Sequence, residues 1–345
     1  MKSIKLGNIY VGDKHPVLVI PEIGINHNGN LDIAKKMIDA AHKAGARLVK
    51  HQTHVVDDEM STAARNVIPG NSHKSIYSIM AECALNEEEE LELKEYAENK
   101  DIFFLSTPFS RAAADRLERF GVGAYKIGSG EMNNLPLIEH IAEFGKPMIV
   151  STGMNNIKDI STTVNILEKY GVQYGLMHTT NLYPTQPYQI RLGAMMEIMH
   201  EFSQVPVGLS DHSLNNNACI AAMGCGAKIV ERHFTDSKKR KGPDILCSMN
   251  SEELAQLLVA ANEVPLMLGG EKKALPEEQV TIDFAFATVV AIKEIKAGER
   301  FSKDNIWVKR PGTGEILAAH YEEILGKIAQ IDIDKDVHIE WKMMK

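Results

Sequence analysis

An eight-stranded (β/α)8 TIM barrel followed by a small α+β domain is the fold class that this sequence predicts. From residue 17 onwards, short runs rich in β-branched residues alternate with longer runs that have the periodicity of amphipathic helices. Eight such units fit into about 250 residues, which is the usual length of this barrel. After residue 269 the alternation stops, and short β-like runs and turns follow without a long helix.

The first unit shows how each element is justified. The run VLVIPEIG is apolar and β-branched, as expected for a strand buried on both faces of a parallel sheet. In the run that follows, Ile33, Met37 and Ala40 recur at helical spacing until Gly45 ends the helix. The same reasoning places the eight strands at 17–24, 47–53, 102–109, 124–130, 147–153, 174–180, 206–212 and 228–234. The helices that follow them are predicted at 31–45, 86–100, 110–121, 135–145, 157–171, 191–202, 216–227 and 251–264.

The domain organisation follows from this pattern. We predict a barrel domain at 1–269, a linker at 270–286 and a small α+β domain at 287–345. The linker is charged and contains Pro276, which is typical of an extended arm. A doubly wound open sheet is the alternative fold, but it usually has fewer units. No GxGxxG motif follows the first strand, so a dinucleotide site has no support.

Composition and charge exclude several classes of function. The formal net charge of −8 gives no global attraction for nucleic acid or an anionic membrane surface, so an anionic ligand needs locally placed cations. The first residues lack the apolar core of a signal peptide, and no run reaches the roughly 20 apolar residues of a membrane span. The four cysteines form no CxxC pair, which favours a reduced, cytoplasmic protein.

Polar residues end all eight predicted strands, and this pattern predicts the site. Barrel enzymes carry their chemistry at the C-terminal ends of the strands. A single charged residue there is more often a solvated loop residue or half of a structural ion pair. Eight coincident endings predict an active site at one rim of the barrel. In chain order the endings are Glu22; Lys50 and Gln52; Ser106 and Thr107; Lys126, Ser129 and Glu131; Ser151 and Thr152; Thr179, Thr180 and Asn181; Asp211 and His212; Glu231 and His233.

His212 and His233 close consecutive strands and are candidate metal ligands. Neighbouring strands lie about 4.8 Å apart, so two inward imidazoles at equal height can share one ion. Without a thiolate cluster, the site would suit an open coordination shell around a divalent ion such as Mn²⁺. The alternative is a pair of histidines hydrogen-bonded to Asp211 and Glu231 without a metal.

Lys50 and Lys126 lie at strand positions where an apolar residue is expected. Lysines with neighbouring hydroxyls and glycine-bearing turns suit a small phosphorylated carboxylate. A Schiff-base lysine is the competing role, because barrel aldolases place a lysine at a strand end. Both roles stay open from the residues alone, although the surrounding hydroxyls favour anion binding.

Ten motifs in order resemble the bacterial sialic acid synthases (N-acetylneuraminate synthases), and together they span essentially the whole chain. The C-terminal domain resembles the antifreeze-like (SAF) domain of that family. The motifs are EIGINHNG, VKHQTH, STPFS, KIGSGE, STGM, TTNLYPT, GLSDHS, ERHFTD, GPDILCSMN and DNIWVKRPGTG.

The resemblance implies a reaction, a cofactor and an assembly. Phosphoenolpyruvate would condense with open-chain N-acetylmannosamine and water, giving N-acetylneuraminate and phosphate by C–O cleavage. A divalent metal is implied, Mn²⁺ or alternatively Mg²⁺ or Co²⁺, together with a domain-swapped homodimer. Legionaminic or pseudaminic acid synthesis from a diacetamido-trideoxyhexose is the alternative. A Schiff-base pyruvate aldolase and a non-catalytic carbohydrate-binding protein are the rival functions from other classes.

The resemblance also assigns roles to residues of this sequence. It implies that His212 and His233 hold the metal, that Glu22 positions the attacking water and that Glu131 belongs to the same catalytic rim. The residues implied to hold phosphoenolpyruvate are Lys50, Thr107, Lys126, Ser129, Ser151 and Asn181. The residues implied to bind the sugar are Gln52, Asn71, Tyr183, Asp244 and, from the partner subunit's C-terminal domain, the position of Arg310.

Overall fold

A computed structural model describes residues 3–69 and 73–345 and divides the chain into two compact units, Met1–Gly269 and Gly270–Lys345. The first unit confirms the predicted fold class, because eight parallel strands close into a barrel in which each strand pairs with the next along the chain. The barrel strands are β3 (Leu18–Gly24), β4 (Leu48–Thr53), β5 (Phe103–Pro108), β6 (Tyr125–Ile127), β7 (Met148–Ser151), β8 (Tyr174–Thr179), β9 (Val207–Asp211) and β10 (Ile229–His233).

Helices surround the barrel, and asparagine caps begin several of them. Asn30 accepts a hydrogen bond from the backbone of Ile33, and Asn86, Asn156 and Asn250 form reciprocal capping boxes. Such caps each stabilise a helix by about 1 kcal/mol. The helices of this unit are α1 (Leu31–Lys43), α2 (Val56–Glu59), α3 (Ile76–Cys83), α4 (Glu87–Glu98), α5 (Arg111–Arg119), α6 (Leu135–Glu143), α7 (Ile157–Lys169), α8 (Pro187–Ile190), α9 (Leu192–Glu201), α10 (Asn217–Gly224) and α11 (Ser251–Glu263).

A β-hairpin fills the N-terminal end of the barrel. Its strands, β1 (Ile4–Leu6) and β2 (Ile9–Val11), turn four aliphatic side chains towards the barrel interior. These side chains pack with Leu18, Leu48 and Leu105 in one buried cluster. Burial contributes about 1.5–3 kcal/mol for each aliphatic side chain. The interior is therefore apolar at this end, and the polar side chains gather at the opposite end.

The register of the strands brings the predicted polar residues to one level. Glu22 pairs with Lys50 on one side and with His233 on the other. A β-bulge between Glu22 and Gly24 interrupts the first pairing. Gly24 adopts a φ of +46°, and a Cβ there would lie 3.2 Å from Nε2 of Gln52. Glycine therefore allows both the left-handed backbone and the close approach of two polar side chains.

The second unit has its own antiparallel pair, β11 (Thr288–Ala291) and β12 (Ile306–Lys309). A separate apolar cluster that includes Val289, Phe301 and Ile339 forms its core. Before the sheet, the segment predicted as a linker contains helix α12 (Gln279–Ala285), and α13 (Tyr321–Ile324) follows β12. Within the described part of the chain, no helix has both the length and the apolar character needed to cross a membrane.

Candidate active site

A cavity of about 180 Å³ opens at the C-terminal end of the barrel. Polar side chains from the ends of all eight strands line it, which is the placement that the sequence predicted. The predicted site residues among its lining are Glu22, Lys50, Gln52, Thr107, Lys126, Ser129, Glu131, Ser151, Asn181, Tyr183, His212 and His233.

Lys50 forms a buried ion pair with Glu22 at the centre of this cavity. Its Nζ also lies 3.6 Å from the carboxylate of Glu231 and 3.5 Å from Oγ1 of Thr107. Burial lowers the pKa of Lys50, but the carboxylates of Glu22 and Glu231 outweigh burial and hold the pKa above its usual value. Burial likewise raises the pKa of Glu22, but Lys50, the His233 ring and the Gln52 amide bring it well below its usual range. Both groups are therefore charged at neutral pH.

Lys126 is the second buried cation of the cavity. Its ammonium donates to Oγ of Ser151 at 2.6 Å and to the carbonyl of Ile127 at 2.9 Å. Burial, opposed by the carboxylate of Glu231 and assisted by the charge of Lys50, lowers the pKa of Lys126 to about 8. The two lysines place two ammonium groups inside the cavity, where burial has removed their water. An anionic ligand would take the place of that water.

Small polar groups beside Lys126 approach each other closely. Ser129 accepts a hydrogen bond from the backbone N–H of Gly153 at 3.1 Å. Any Cβ at Gly153 would overlap Oδ1 of Asn181, so only glycine leaves room for that amide. Oδ1 of Asn181 and Oγ1 of Thr179 are buried and have no hydrogen-bond partner within the described residues. Buried polar atoms without a partner are costly, which indicates that a polar ligand satisfies them.

His212 and His233 face each other across the cavity, with ring centroids 5.4 Å apart. Nδ1–H of His212 donates to the carbonyl of Thr180 at 2.9 Å, which leaves Nε2 with a free lone pair. Burial and the neighbouring His233 ring lower the pKa of His212 to about 3, so the ring is neutral, as a metal ligand must be. Nδ1 of His233 is buried without a hydrogen-bond partner among the described side chains.

The histidine pair fits a metal that takes only two protein ligands. No group of three or more histidine, cysteine, aspartate or glutamate side chains suited to a metal occurs in residues 3–69 and 73–345. Two imidazoles, of which His212 is neutral and oriented by a backbone carbonyl, can still hold a divalent ion whose other positions go to water and substrate oxygen.

A second, larger cavity of about 620 Å³ adjoins the first and shares Gln52, Phe109, Asn181, Tyr183 and His233 with it. Asp244 also lines this cavity and lies 3.8 Å from the His233 ring nitrogen Nδ1. The rest of its wall is apolar, formed by Ile25, Pro69, Ile76, Ile79, Met80, Leu182 and Pro243. The tyrosine ring of residue 183 stacks on His212 with centroids 4.1 Å apart, so the two cavities meet at the histidine pair.

Two further carboxyl groups have raised pKa values because they are buried. Burial, assisted by the nearby carboxylate of Glu59, raises the pKa of Glu131 to about 7. Burial also raises the pKa of Asp244, against the opposing effect of His233. Glu131 can therefore exchange a proton near neutral pH, which suits a general acid or base.

Two of the predicted site residues do not join this cluster. Asn71 lies outside the described residues. Arg310 belongs to the second unit, where it is exposed and follows β12. The roles that the resemblance implies for these two residues stay predictions.

Sequence reasoning missed the place of Glu231. The sequence offered it only as an alternative partner of the histidines, but its carboxylate lies between the lysines, 3.6 Å from Lys50 and 3.9 Å from Lys126, and accepts from Ser210 at 3.1 Å. A signal was present, because Glu231 and His233 are two residues apart on one strand and so face the same side.

The fold and the cavity define a TIM-barrel enzyme with buried lysines and a histidine pair at its catalytic rim. The chain belongs to the NeuB family, whose family model matches residues 37–273, and an SAF domain matches residues 286–345. The family is one of sialic, legionaminic and pseudaminic acid synthases, so the chain is a synthase of this type and a transferase.

Three comparisons illustrate the relationship. The chain is 38% identical to the N,N'-diacetyllegionaminic acid synthase of Campylobacter jejuni, over 92% of this chain and 97% of that protein. It is 31% identical to the N-acetylneuraminate-9-phosphate synthase of Homo sapiens, over 95% and 92%. The crystal structure of an N-acetylneuraminic acid synthetase from Leptospira borgpetersenii matches with a TM-score of 0.74 and 30% identity, over 81% of this chain and 95% of that chain.

Proposed function

We propose that this enzyme condenses phosphoenolpyruvate with the open-chain aldehyde of an N-acylated hexosamine, giving a nonulosonic acid and phosphate. The supporting observation is the pair of buried lysines beside polar atoms without partners, next to two facing imidazoles. Phosphoenolpyruvate carries a phosphate and a carboxylate, and these are the groups that such a pocket would stabilise.

Lys126 and Lys50 would bind the two anionic groups of phosphoenolpyruvate. Ser129 and Ser151 would donate from their hydroxyls, and Asn181 from its amide Nδ2, to the same oxygens from the adjoining strands, and Thr107 would do so beside Lys50. The lysines stabilise negative charge throughout the reaction because they are fixed and shielded from water before the substrate binds. Neither lysine needs to form an imine, and Lys50 is held in its charged form by Glu22.

The sugar aldehyde would lie against His212 and His233. Polarisation of its carbonyl is the chemistry that a divalent ion, Mn²⁺ in our proposal, would supply when these two imidazoles hold it. Tyr183, stacked on His212, orients that ring, and Gln52 and Asp244 face the space where the sugar would extend.

Glu22 would direct the water that completes the reaction. When C3 of phosphoenolpyruvate forms the new bond to the aldehyde carbon, C2 becomes an oxocarbenium ion. The Glu22 carboxylate, kept ionised by Lys50, accepts a proton from water as the water oxygen attacks C2. The resulting tetrahedral intermediate breaks its C2–O bond, and phosphate leaves with the bridging oxygen.

The sugar has two candidates. N-acetylmannosamine is the sequence-based prediction, with N-acetylneuraminate as product. The second candidate, 2,4-diacetamido-2,4,6-trideoxymannose, is favoured by the apolar wall of the larger cavity, where Ile76, Ile79 and Met80 would cover its C6 methyl and second acetamido methyl. Hydroxyl groups in their place would lose hydrogen bonds to water. The 38% identity to a legionaminic acid synthase supports the same sugar.

A phosphate-release assay with each sugar tests the proposal. We expect release with phosphoenolpyruvate and either sugar, with kcat/KM about tenfold higher for the trideoxy sugar because methyl groups in an apolar pocket give discrimination of this order. Borohydride added during turnover should trap no adduct. Turnover of N-acetylmannosamine without turnover of the trideoxy sugar would mean that the product is N-acetylneuraminate. No release with either sugar, or a borohydride adduct on a lysine, would contradict the proposed reaction.

Some elements stay predictions from the sequence and its resemblance. These are the domain-swapped homodimer in which Arg310 reaches the partner's barrel, the cytoplasmic location and the lack of a nucleic-acid partner. Exposed apolar side chains in the second unit, including Val280, Phe284 and Phe286, are consistent with burial in an assembly.

A further inference from the structure

A chain of hydrogen bonds connects Glu22 to the insertion that follows β4. Nε2 of Gln52 donates to Oε1 of Glu22 at 2.8 Å, and Oε1 of Gln52 lies 3.1 Å from Nε2 of His54. Nδ1 of His54 lies 2.7 Å from Oε2 of Glu59 in α2. Nothing in the proposed reaction uses His54 or Glu59, although their chain of contacts ends on the carboxylate that directs water.

The chemistry of the partners fixes the direction of the hydrogen bonds along this chain. The Glu22 carboxylate only accepts, so the Gln52 amide must turn its NH₂ group towards Glu22 and its oxygen towards His54. That oxygen only accepts as well. Nε2 of His54 must therefore donate to it, and Glu59 holds the other ring nitrogen.

The surroundings hold His54 in this position. The residue is 5% exposed, and its ring stacks on Phe109 with centroids 4.4 Å apart. Helix α2 is anchored because Asp58 accepts from the backbone N–H of Ala112 at 2.8 Å, which places the neighbouring Glu59 against the ring. Phe109 and Gln52 line both cavities, so this contact lies at the boundary between the two substrate regions.

The charged and titratable groups facing His54 come from three other elements. Glu59 contacts it directly from α2. Glu131, in the turn after β6, has its pKa raised mainly by burial, with His54 acting in the opposite direction. His27, after β3, has its pKa lowered to about 3, first by burial and then by its histidine neighbours, so that ring is neutral. Among these groups, Glu59 is the one that contacts the ring and holds it against Gln52.

We propose that His54 is a positioning residue whose Nε2–H donates to the Gln52 oxygen and locks that amide, so that Gln52 donates to Glu22 and holds this carboxylate towards the water that attacks C2. This inference rests on the proposed function. Without the His54 donor, the Gln52 amide is free to turn over and to present its oxygen to Glu22, which would displace the carboxylate. The insertion thus positions the water-directing carboxylate from outside the rim.

Two substitutions separate positioning from a structural role. His54→Gln places an amide NH₂ near the position of Nε2 and keeps the bond to Gln52, whereas His54→Asn keeps only the bond to Glu59. We expect His54→Asn to lower kcat/KM for the sugar about tenfold, with KM for phosphoenolpyruvate changed less than twofold. We expect His54→Gln to stay within about twofold of the wild type in both constants.

A matched control and a second variant complete the experiment. His140→Asn removes a comparable histidine–carboxylate pair, with Asp115 at 2.7 Å, on the outer face of the barrel, and should leave all kinetic constants unchanged. Glu59→Gln keeps a hydrogen-bonding side chain beside the ring and should lower sugar kcat/KM less than His54→Asn does. Equal damage from the two His54 variants would overturn the proposal.

The direction of this hydrogen bond can be measured without turnover. In protein labelled with [¹⁵N]histidine, Nε2 of His54, assigned by its loss in His54→Gln, should carry a proton in the wild type. An unprotonated Nε2 there would also overturn the proposal. Failure of the wild type to turn over either sugar would instead contradict the proposed function and leave this hydrogen bond intact.

Discussion

Replacement of Lys126 by methionine is expected to lower kcat/KM for phosphoenolpyruvate about a thousandfold. The ammonium of Lys126 is fully buried, donates to Ser151 and lies among atoms that lack hydrogen-bond partners, so no mobile cation can substitute for it. Steady-state kinetics with phosphoenolpyruvate as the varied substrate measure the loss. Lys228→Met is the matched control, because Lys228 lies at the opposite end of a barrel strand and pairs with Asp13 at 3.0 Å.

The same residue predicts a pH dependence. The pKa of Lys126 is lowered to about 8, so the free enzyme carries this charge below pH 8 and loses it above. We expect kcat/KM for phosphoenolpyruvate to decline above about pH 8 in the wild type. In Lys126→Arg the guanidinium stays charged, so the remaining activity should lack this decline. An unchanged KM for phosphoenolpyruvate in Lys126→Met would contradict the role of this lysine in anion binding.

Alanine at His212 or His233 is expected to abolish metal binding and to lower kcat by at least about a thousandfold. Each imidazole would supply one of only two protein ligands, so a single deletion leaves too few to hold the ion. Mn²⁺ binding, followed by electron paramagnetic resonance, gives a readout independent of turnover. His200→Ala, an exposed histidine on α9, is the control. Full activity after chelation, or Mn²⁺ binding that survives both deletions, would contradict the metal site.

The sequence predicted the barrel because hydrophobic periodicity is a local property. Each strand end lay within two or three residues of its predicted position, as for β4 at Leu48–Thr53 against 47–53. The hairpin β1–β2 was not predicted, because its three-residue strands show too short an alternation to be recognised. Helix α12 was not predicted within the linker because its seven residues, Gln279–Ala285, are too few to show a helical period.

The candidate site was predictable as a set of strand ends but not as a set of contacts. Convergence at one rim follows from barrel topology alone, which is why Glu22, Lys50, Lys126 and His212 could be named together. Which carboxylate lies between the two lysines depends on register and side-chain direction, so the sequence did not place Glu231 there. The contact from His54 to Glu59 depends on the path of an insertion whose sequence has no regular period, and the structure alone supplies it.

The fate of the oxygen that bridges C2 and phosphorus tests the central claim most directly. Phosphoenolpyruvate labelled with ¹⁸O at that position is incubated with the enzyme and the accepted sugar, and both products are analysed by mass spectrometry. If Glu22 directs water to C2, the label leaves with the inorganic phosphate and the C2 hydroxyl oxygen comes from solvent. Label retained at C2 of the sugar acid would mean that water attacks phosphorus, which would contradict the proposed role of the rim.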